Sequence, residues 1–492
     1  MKAWPKHPLI HEINAWVWLG DLGQKYQRAV DFSTVPTEEW DRLAACGFDA
    51  VWFMGVWERS SAGIAISMRN AGLLDDFRRA LPDFVAQDNV GSPYCVRRYV
   101  VDKHLGGPQG LAAARSALRE RGVRLILDFV PNHVAPDHPW VGAHPEYFVQ
   151  GRDAGAGYDP ASFIESGGNI FACGRDPYFP AWPDVLQLNA FQPALRQEAI
   201  ETVLDIATQC DGVRCDMAML MLNDIFERTW GGHAGAKPDE EYWKAVIPAI
   251  KLSNPDFKFI AEAYWDLEWA LQQQGFDYCY DKKLYDRLEY SDAESVRQHL
   301  LADDAYQQKM LRFIENHDEP RAARAFPEAK GRAAAVATLT LPGGKLLHEG
   351  QFEGFRVRLP VFLGRHPVET VDQELAAFYA RLLKAVNRDA FRNGEWRLCE
   401  RSGWPDNQSC LGLLAWCWKH GDERYLVAIN YQPQSAQARI HQPWAGLKGR
   451  VWRLTDQLSD VIYDRSGDEM QEQGLYVDMP AWKYHLFQLQ PL

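Results

Sequence analysis

Four strand-like runs in this chain each lead into a carboxylate: RLIL into Asp128, GVRC into Asp216, KFIA into Glu262 and FIENH into Asp318. A charge that closes an apolar strand is costly to bury unless something compensates it. Arg214 stands two residues before Asp216, which on a strand is the same face, where it can hold that carboxylate ionised and aimed. Glu262 has the opposite surroundings, with Phe259, Ile260 and Ala261 before it and Ala263 and Tyr264 after it. A poorly solvated carboxyl keeps its proton to higher pH, which suits a general acid. A carboxyl held ionised beside one kept protonated is a pairing suited to nucleophilic and general acid/base chemistry. Any one of these acids alone is ordinarily a solvated strand end or a salt-bridge partner. Four, each next to His, Arg or Asn, are a candidate site if the fold brings the strand ends together.

The elements between them supply that fold. Strand-like segments recur at 10–19, 50–58, 123–130, 211–218, 257–265, 276–286, 310–318 and 335–344, with helical patterns such as PTEEWDRLAACG (36–47) and GLAAARSALRERG (110–122) among them. Continuous apolar strands interleaved with helices predict a parallel sheet covered on both sides. Eight such units over almost 400 residues predict an α/β fold, a closed (β/α)₈ TIM barrel, whose strand C-termini converge on one mouth. A dinucleotide-binding sheet would want G-x-G-x-x-G after its first strand, and that string is missing. Residues 59–90 form one insertion, with helical character. Residues 134–190 form a second, containing GRDAGAGYDPASF and little helical periodicity; loops of this length are lids or small subdomains. The domain reading is a catalytic barrel over 1–390 with a short third-loop insertion at 134–190. A C-terminal antiparallel β domain, a sandwich, follows over 391–492, where short strand-like runs alternate with turns.

The strings DFVPNH, GVRCD, FIAEAYWD and FIENHD, in that order and at those strand ends, resemble the four short motifs of the α-amylase family of glycoside hydrolases. WPDVLQLN (182–189) resembles the motif that closes the family's third-loop domain, and GSPYCVRRY (91–99) its tyrosine-bearing segment after the second strand. The resemblance covers nearly the whole chain and implies roles. Asp216 would be the nucleophile that forms a β-glycosyl-enzyme, Glu262 the general acid/base, and Asp318 the third carboxylate, gripping sugar hydroxyls. His133 and His317 would bond hydroxyls of the sugar being cleaved, with Tyr94 as an aromatic platform beneath it; Arg214 completes the substrate-binding set. Asp128 reads as a structural acid for Arg214 or the loop. Asn132 matches a position that holds a structural Ca²⁺ in many relatives, but the short third loop offers no evident second and third ligand. No cofactor is therefore required, and calcium is not favoured. The Lys-His pair that follows the nucleophile in starch-cleaving members is Met219-Leu220 here, which argues against long-chain endo-action and points to an apolar acceptor site favouring small substrates or acceptors other than water. The glycine-rich segment 229–238 is a candidate lid.

Composition bounds the rest. The 492 residues carry Lys+Arg 53 against Asp+Glu 66, a net charge of −13, and no basic run, so nucleic acid is not an expected partner. No stretch suits a membrane span or a secretory signal, and nine cysteines without a C-x-x-C pair suit a reducing cytoplasm. Nineteen Trp and nineteen Tyr hint at platforms for sugar rings, or simply at an aromatic core. The sequence thus predicts a retaining enzyme that hydrolyses or transfers glucosyl units of small α-glucans or disaccharides. An isomerase of the trehalose-synthase kind and a disaccharide phosphorylase remain open, as does a non-catalytic carbohydrate-binding protein on the same barrel. The last would be expected to lose one or more of Asp216, Glu262 and Asp318, all of which are present. Oligomeric state is not legible.

Overall fold

The computed structural model describes residues 3–151 and 161–492. Eight parallel strands close a barrel: β1 Leu9–Asn14, β2 Ala50–Met54, β3 Arg124–Phe129, β4 Gly212–Cys215, β5 Lys258–Ala261, β6 Tyr278–Tyr280, β7 Met310–Arg312 and β8 Gly344–His348. Each pairs with its neighbours in sequence, and β8 closes on β1 with Leu9 opposite Lys345. Every residue of β1, β2, β3 and β8 is buried, as expected for strands covered by helices outside and side chains inside.

Four of the expected strands are corrected: that at 276–286 keeps only Tyr278–Tyr280 before the helix Lys282–Tyr290, and that at 310–318 keeps only Met310–Arg312, which leaves Asp318 in the loop beyond it. The first stops at Asn14, because the Asn14 side chain accepts a hydrogen bond from the Trp16 amide and caps the helix Ala15–Tyr26. The run at 335–344 is mostly the end of the helix Glu328–Thr340, and the strand is the following GKLLH. That helix is buried on all sides over Ala333–Thr340, so its unbroken apolar run carries no periodicity by which to tell it from a strand.

The insertion at 59–90 holds the helices Ser61–Ser67 and Ala71–Ala80. The third loop is more regular than expected. It builds a small antiparallel sheet in the order His133–Val134, Trp182–Gln187, Asn169–Gly174, Phe163–Ser166. Most of GRDAGAGYDPASF falls at 152–160, outside the described residues. A third excursion, residues 349–372 after β8, carries no regular element. Its Leu359 and Leu363 pack with Val17, Phe77 and Leu81, and Arg365 pairs with Asp88 at 2.7 Å, so three separate loops join into one rim.

Beyond the helix Gln373–Val386 lie two antiparallel sheets, one of six strands and one of three. The strands Leu413–His420 and Glu423–Asn430 of the larger sheet bury both faces. Leu414, Trp416, Trp418 and Val427 pack on the barrel helices, while Leu413, Ala415, Leu426 and Ala428 meet Ala438 and Val477 of the smaller sheet. Trp418 Nε1 donates to the Thr340 carbonyl at 2.7 Å, satisfying the last turn of the buried helix. With Trp52, Trp57, Trp243 and Trp452 also fully buried, much of the tryptophan content is packing. Among the described residues no helix is long and apolar enough to cross a membrane.

Candidate active site

Arg214 organises the mouth of the barrel. It lies on β4, fully buried, with Asp128 of β3 as its register partner. Its Nη1 donates to Asp216 Oδ1 at 2.6 Å and lies 3.8 Å from Asp128 Oδ1, while Nη2 is 2.9 Å from Glu262 Oε2. One guanidinium therefore spans the ends of β4 and β5 and brings the two carboxyls of interest within its own width. Three rings enclose it, Trp52, Tyr94 and Tyr280, with centroids 5.3, 5.0 and 5.7 Å from the guanidinium carbon, and the Tyr280 hydroxyl accepts from Nε at 3.4 Å. Asp128 Oδ2 also accepts from the Gly55 amide at 3.3 Å, the expected arrangement for an acid that serves Arg214 and the loop after β2.

Glu262 is 2% exposed. The Met217 amide donates to its Oε2 at 2.6 Å and the Tyr264 hydroxyl to its Oε1 at 3.0 Å. Burial pushes its carboxyl up to about 7; Arg214 opposes this, and Asp216 and Asp318 add to it. Burial pushes Asp216 up as well, against Arg214. The short hydrogen bond from Arg214 goes to Asp216, so of the two carboxyls the charge belongs on Asp216 and the proton on Glu262.

Asp318 stands at the rim, its side chain 46% exposed, with His317 Nε2 3.0 Å from Oδ2. Burial of the group is overridden by the His317 imidazolium, and the carboxyl titrates at about 2. Asn316 Oδ1 accepts from the amides of Asp318 and Glu319, both at 2.9 Å, and Arg358 donates to the Asp318 carbonyl at 2.7 Å. Tyr94 stacks on the His317 ring at 5.4 Å and its hydroxyl lies 2.7 Å from Nε2. His317 Nδ1 is hydrogen-bonded to Glu12. The structure thus joins Asp216, Glu262, Asp318, Arg214, His317 and Tyr94 in one network.

His133 sits at its edge. It is buried, edge-on to Trp182 at 5.3 Å and hydrogen-bonded to the Tyr94 backbone, and burial holds it neutral, down to about 4. Asn132 is drawn elsewhere: Gln187 Nε2 donates to its Oδ1 at 2.8 Å and Asn132 Nδ2 donates back at 3.2 Å. That pair takes up one lone pair of the amide oxygen, and among the described residues no three His, Cys, Asp or Glu side chains are grouped to hold a metal, so Asn132 has no acidic partners with which to hold a cation. Sequence reasoning missed Glu12, Trp52, Tyr264, Tyr280 and Arg358. Glu12 had a signal, a lone acid inside LIHEIN, and Tyr264 another, its place two residues after Glu262; Trp52, Tyr280 and Arg358 are ordinary residues that only the folded chain brings inward.

Residues 37–415 match the family model described as the α-amylase catalytic domain. The chain belongs to the α-amylase family. It is 24% identical to the α-amylase MalA of Haloarcula japonica over 379 residues, 75% of this chain and 47% of that protein. It is 28% identical over 256 residues to an α-1,4-glucan:maltose-1-phosphate maltosyltransferase of Bifidobacterium longum, 49% of this chain and 28% of that one. The chain thus spans about half the length of MalA, or less of the transferase. Among solved structures, the maltogenic α-amylase AmyB of Thermotoga neapolitana superposes with a TM-score of 0.71 at 21% identity, covering 99% of each chain. That likeness is one of fold.

One feature of this family member differs from the expectations drawn from its sequence, and a second concerns the candidate lid. Met219 and Leu220, 0% and 2% exposed, lie in a short turn packed into the barrel core. They do not line an apolar acceptor site. The segment 229–238 is tethered: Trp230 stacks with Arg175, Asn189 Nδ2 donates to the Ala234 carbonyl at 3.1 Å, and Lys237 pairs with Glu227 at 3.1 Å. Exposed aromatics come instead from the third loop, backed by the half-buried Trp265 of the loop after β5. Tyr178 and Phe179 are 56% and 65% exposed, and Tyr178 meets Trp265 edge-on at 4.8 Å. Trp265 and Asp266 are both left-handed, at φ 65° and 61°, a cost tolerated where a loop must present a side chain.

Proposed function

We propose that this protein is a retaining α-glucoside-acting enzyme working on small α-glucans or disaccharides by hydrolysis or glucosyl transfer. The observation that carries the reading is the Arg214 guanidinium, which ties Asp216 to Glu262 as a matched pair of carboxyls. Asp216 attacks the anomeric carbon while Glu262 gives its proton to the departing glycosidic oxygen, leaving a β-glycosyl-aspartate. Glu262, now a carboxylate, takes a proton from water or a sugar hydroxyl, which attacks the same carbon and frees Asp216. The sugar lies on Tyr94, with Asp318 and His317 at its hydroxyls, and the Tyr178–Trp265 wall receives the leaving or accepting sugar. Such an enzyme is expected to work in the cytoplasm. Anomer-resolved NMR of the products from maltose, maltooligosaccharides, sucrose and trehalose, with and without phosphate, tests the reading. The first product should be the α-anomer; a β-anomer overturns it.

The pH profile should carry the mark of Glu262. The acid must begin protonated, so kcat/KM is expected to fall as pH rises through about 7, the value burial gives it. A profile flat to pH 9 (about two units beyond) removes Glu262 from the acid role. The reading has no metal step, given the Asn132–Gln187 pair. Dialysis against a chelator should leave both activity and Tm unchanged. A Tm that drops and is restored by Ca²⁺ would reinstate the cation site.

A further inference from the structure

Glu12 is the one acid in β1, whose six residues are all buried. It lies opposite Trp52 on β2 and His348 on β8, with 0% exposure. One of its oxygens is bonded to His317 Nδ1, and the other, Oε2, has no hydrogen-bond partner among the described residues. Across the ring, His317 Nε2 faces Asp318 Oδ2 at 3.0 Å and the Tyr94 hydroxyl at 2.7 Å. Both ring nitrogens therefore look at carboxylate oxygens. A neutral imidazole has one N–H, so it would turn a lone pair on one of the two acids; only the imidazolium donates to both. A carboxylate as deep as Glu12 also needs a cation, and the nearby guanidinium of Arg214 is already engaged by Asp216 and Glu262.

We propose that Glu12 is a positioning residue that locks His317 as an imidazolium with Nε2–H aimed at Asp318, keeping the rim carboxylate ionised and oriented. The purpose of the lock rests on the glucoside-cleaving reading above; its existence does not. His317 stands well above its usual value although burial lowers it, because Asp318 and Glu12 raise it. The other groups whose charge it feels are Asp128 on β3, Asp216 at the end of β4 and His348 at the end of β8, the last held neutral by burial. Asp318 is half exposed, so its support is screened by water, whereas that of the enclosed Glu12 is not.

Glu12→Gln keeps the shape and an oxygen for Nδ1–H but removes the charge. NMR of ¹³C-labelled histidine in the full chain should find His317 charged across about pH 5.5–8.5 in the wild type. In Glu12→Gln it should titrate inside that window. In Asp318→Asn it should stay charged, held by Glu12 alone. The kcat/KM of Glu12→Gln relative to wild type should be within about threefold near pH 5.5 and fall at least about tenfold further by about pH 7.5, with Glu12→Asp recovering part of the loss. A His317 signal that titrates identically in wild type and Glu12→Gln, or that titrates in Asp318→Asn, overturns the proposal. So does a relative kcat/KM independent of pH. If Glu12→Gln does not fold, the wild-type and Asp318→Asn spectra decide alone. A chain inert on every glucoside defeats the functional reading and leaves the spectra to judge the lock.

Discussion

Asp216→Asn is expected to lower kcat by roughly 10⁴-fold or more, about 5.5 kcal/mol of transition-state stabilisation, with little change in Tm. The asparagine side chain fills the same space, and its Oδ1 can still accept from Arg214 Nη1, the contact held at 2.6 Å in the wild type. What is lost is the electron pair that attacks the anomeric carbon and the negative charge that faces the positive sugar ring in the transition state. The substitution has a second, independent signature. Asp216 raises the Glu262 carboxyl, so removing its charge should move the alkaline limb of any residual activity below about 7. Measuring kcat on an aryl α-glucoside across pH tests both. Activity near the wild-type level would strip Asp216 of the nucleophile role whatever the limb does.

How much of this was legible beforehand depends on how local the determining physics is. Asp128, Asp216 and Glu262 could be read because each closes an apolar strand, and a strand that ends in a charge must lead to something that compensates it; Asp318 stands six residues past the end of β7 and was legible only through the FIENHD string. The barrel followed from counting such strands, and the closed eight-stranded order agrees with it. The helix Glu328–Thr340 was misread because burial on every side erases the alternation that separates helix from strand. Met219 and Leu220 were assigned to an open acceptor site from their place after Asp216, but the left-handed Met217, at φ 43°, turns the chain back into the core first. A single positive φ at a non-glycine residue leaves no mark on the sequence. Glu12 and Arg358 reach the site from β1 and from the excursion after β8, 305 and 40 residues from their partners His317 and Asp318. No window along the chain contains both ends of either contact.

The largest effect on the fold is expected from Arg214→Met. Methionine approximates the length of the arginine stem, and Trp52, Tyr94 and Tyr280 would still enclose it. Asp216 and Glu262 would lose the cation that bridges them, and Asp128 its near neighbour, leaving three buried carboxyls to share the loss. Breaking a buried ion pair from one side costs about 3–5 kcal/mol, because an uncompensated charge stays behind. These carboxyls can escape that cost by taking up protons, so their folded pKa values, already raised for all three, rise further above the unfolded ones. A carboxyl with a raised folded pKa is neutral in both states well below its unfolded value, and destabilises the fold as pH climbs above that value. The Tm deficit of Arg214→Met should accordingly be large at pH 7.5 and shrink markedly towards about pH 4.5. Activity should vanish at both, since a protonated Asp216 cannot attack. Arg214→Lys separates charge from geometry. A single ammonium can neutralise one carboxyl but cannot span two, so it should restore much of the Tm and little of the kcat. Thermal denaturation of both variants at the two pH values, beside their kcat, reads all of this. An Arg214→Met protein as stable as wild type at pH 7.5 would mean that the two carboxyls do not depend on that guanidinium, and the pairing on which the mechanism is built would go with it.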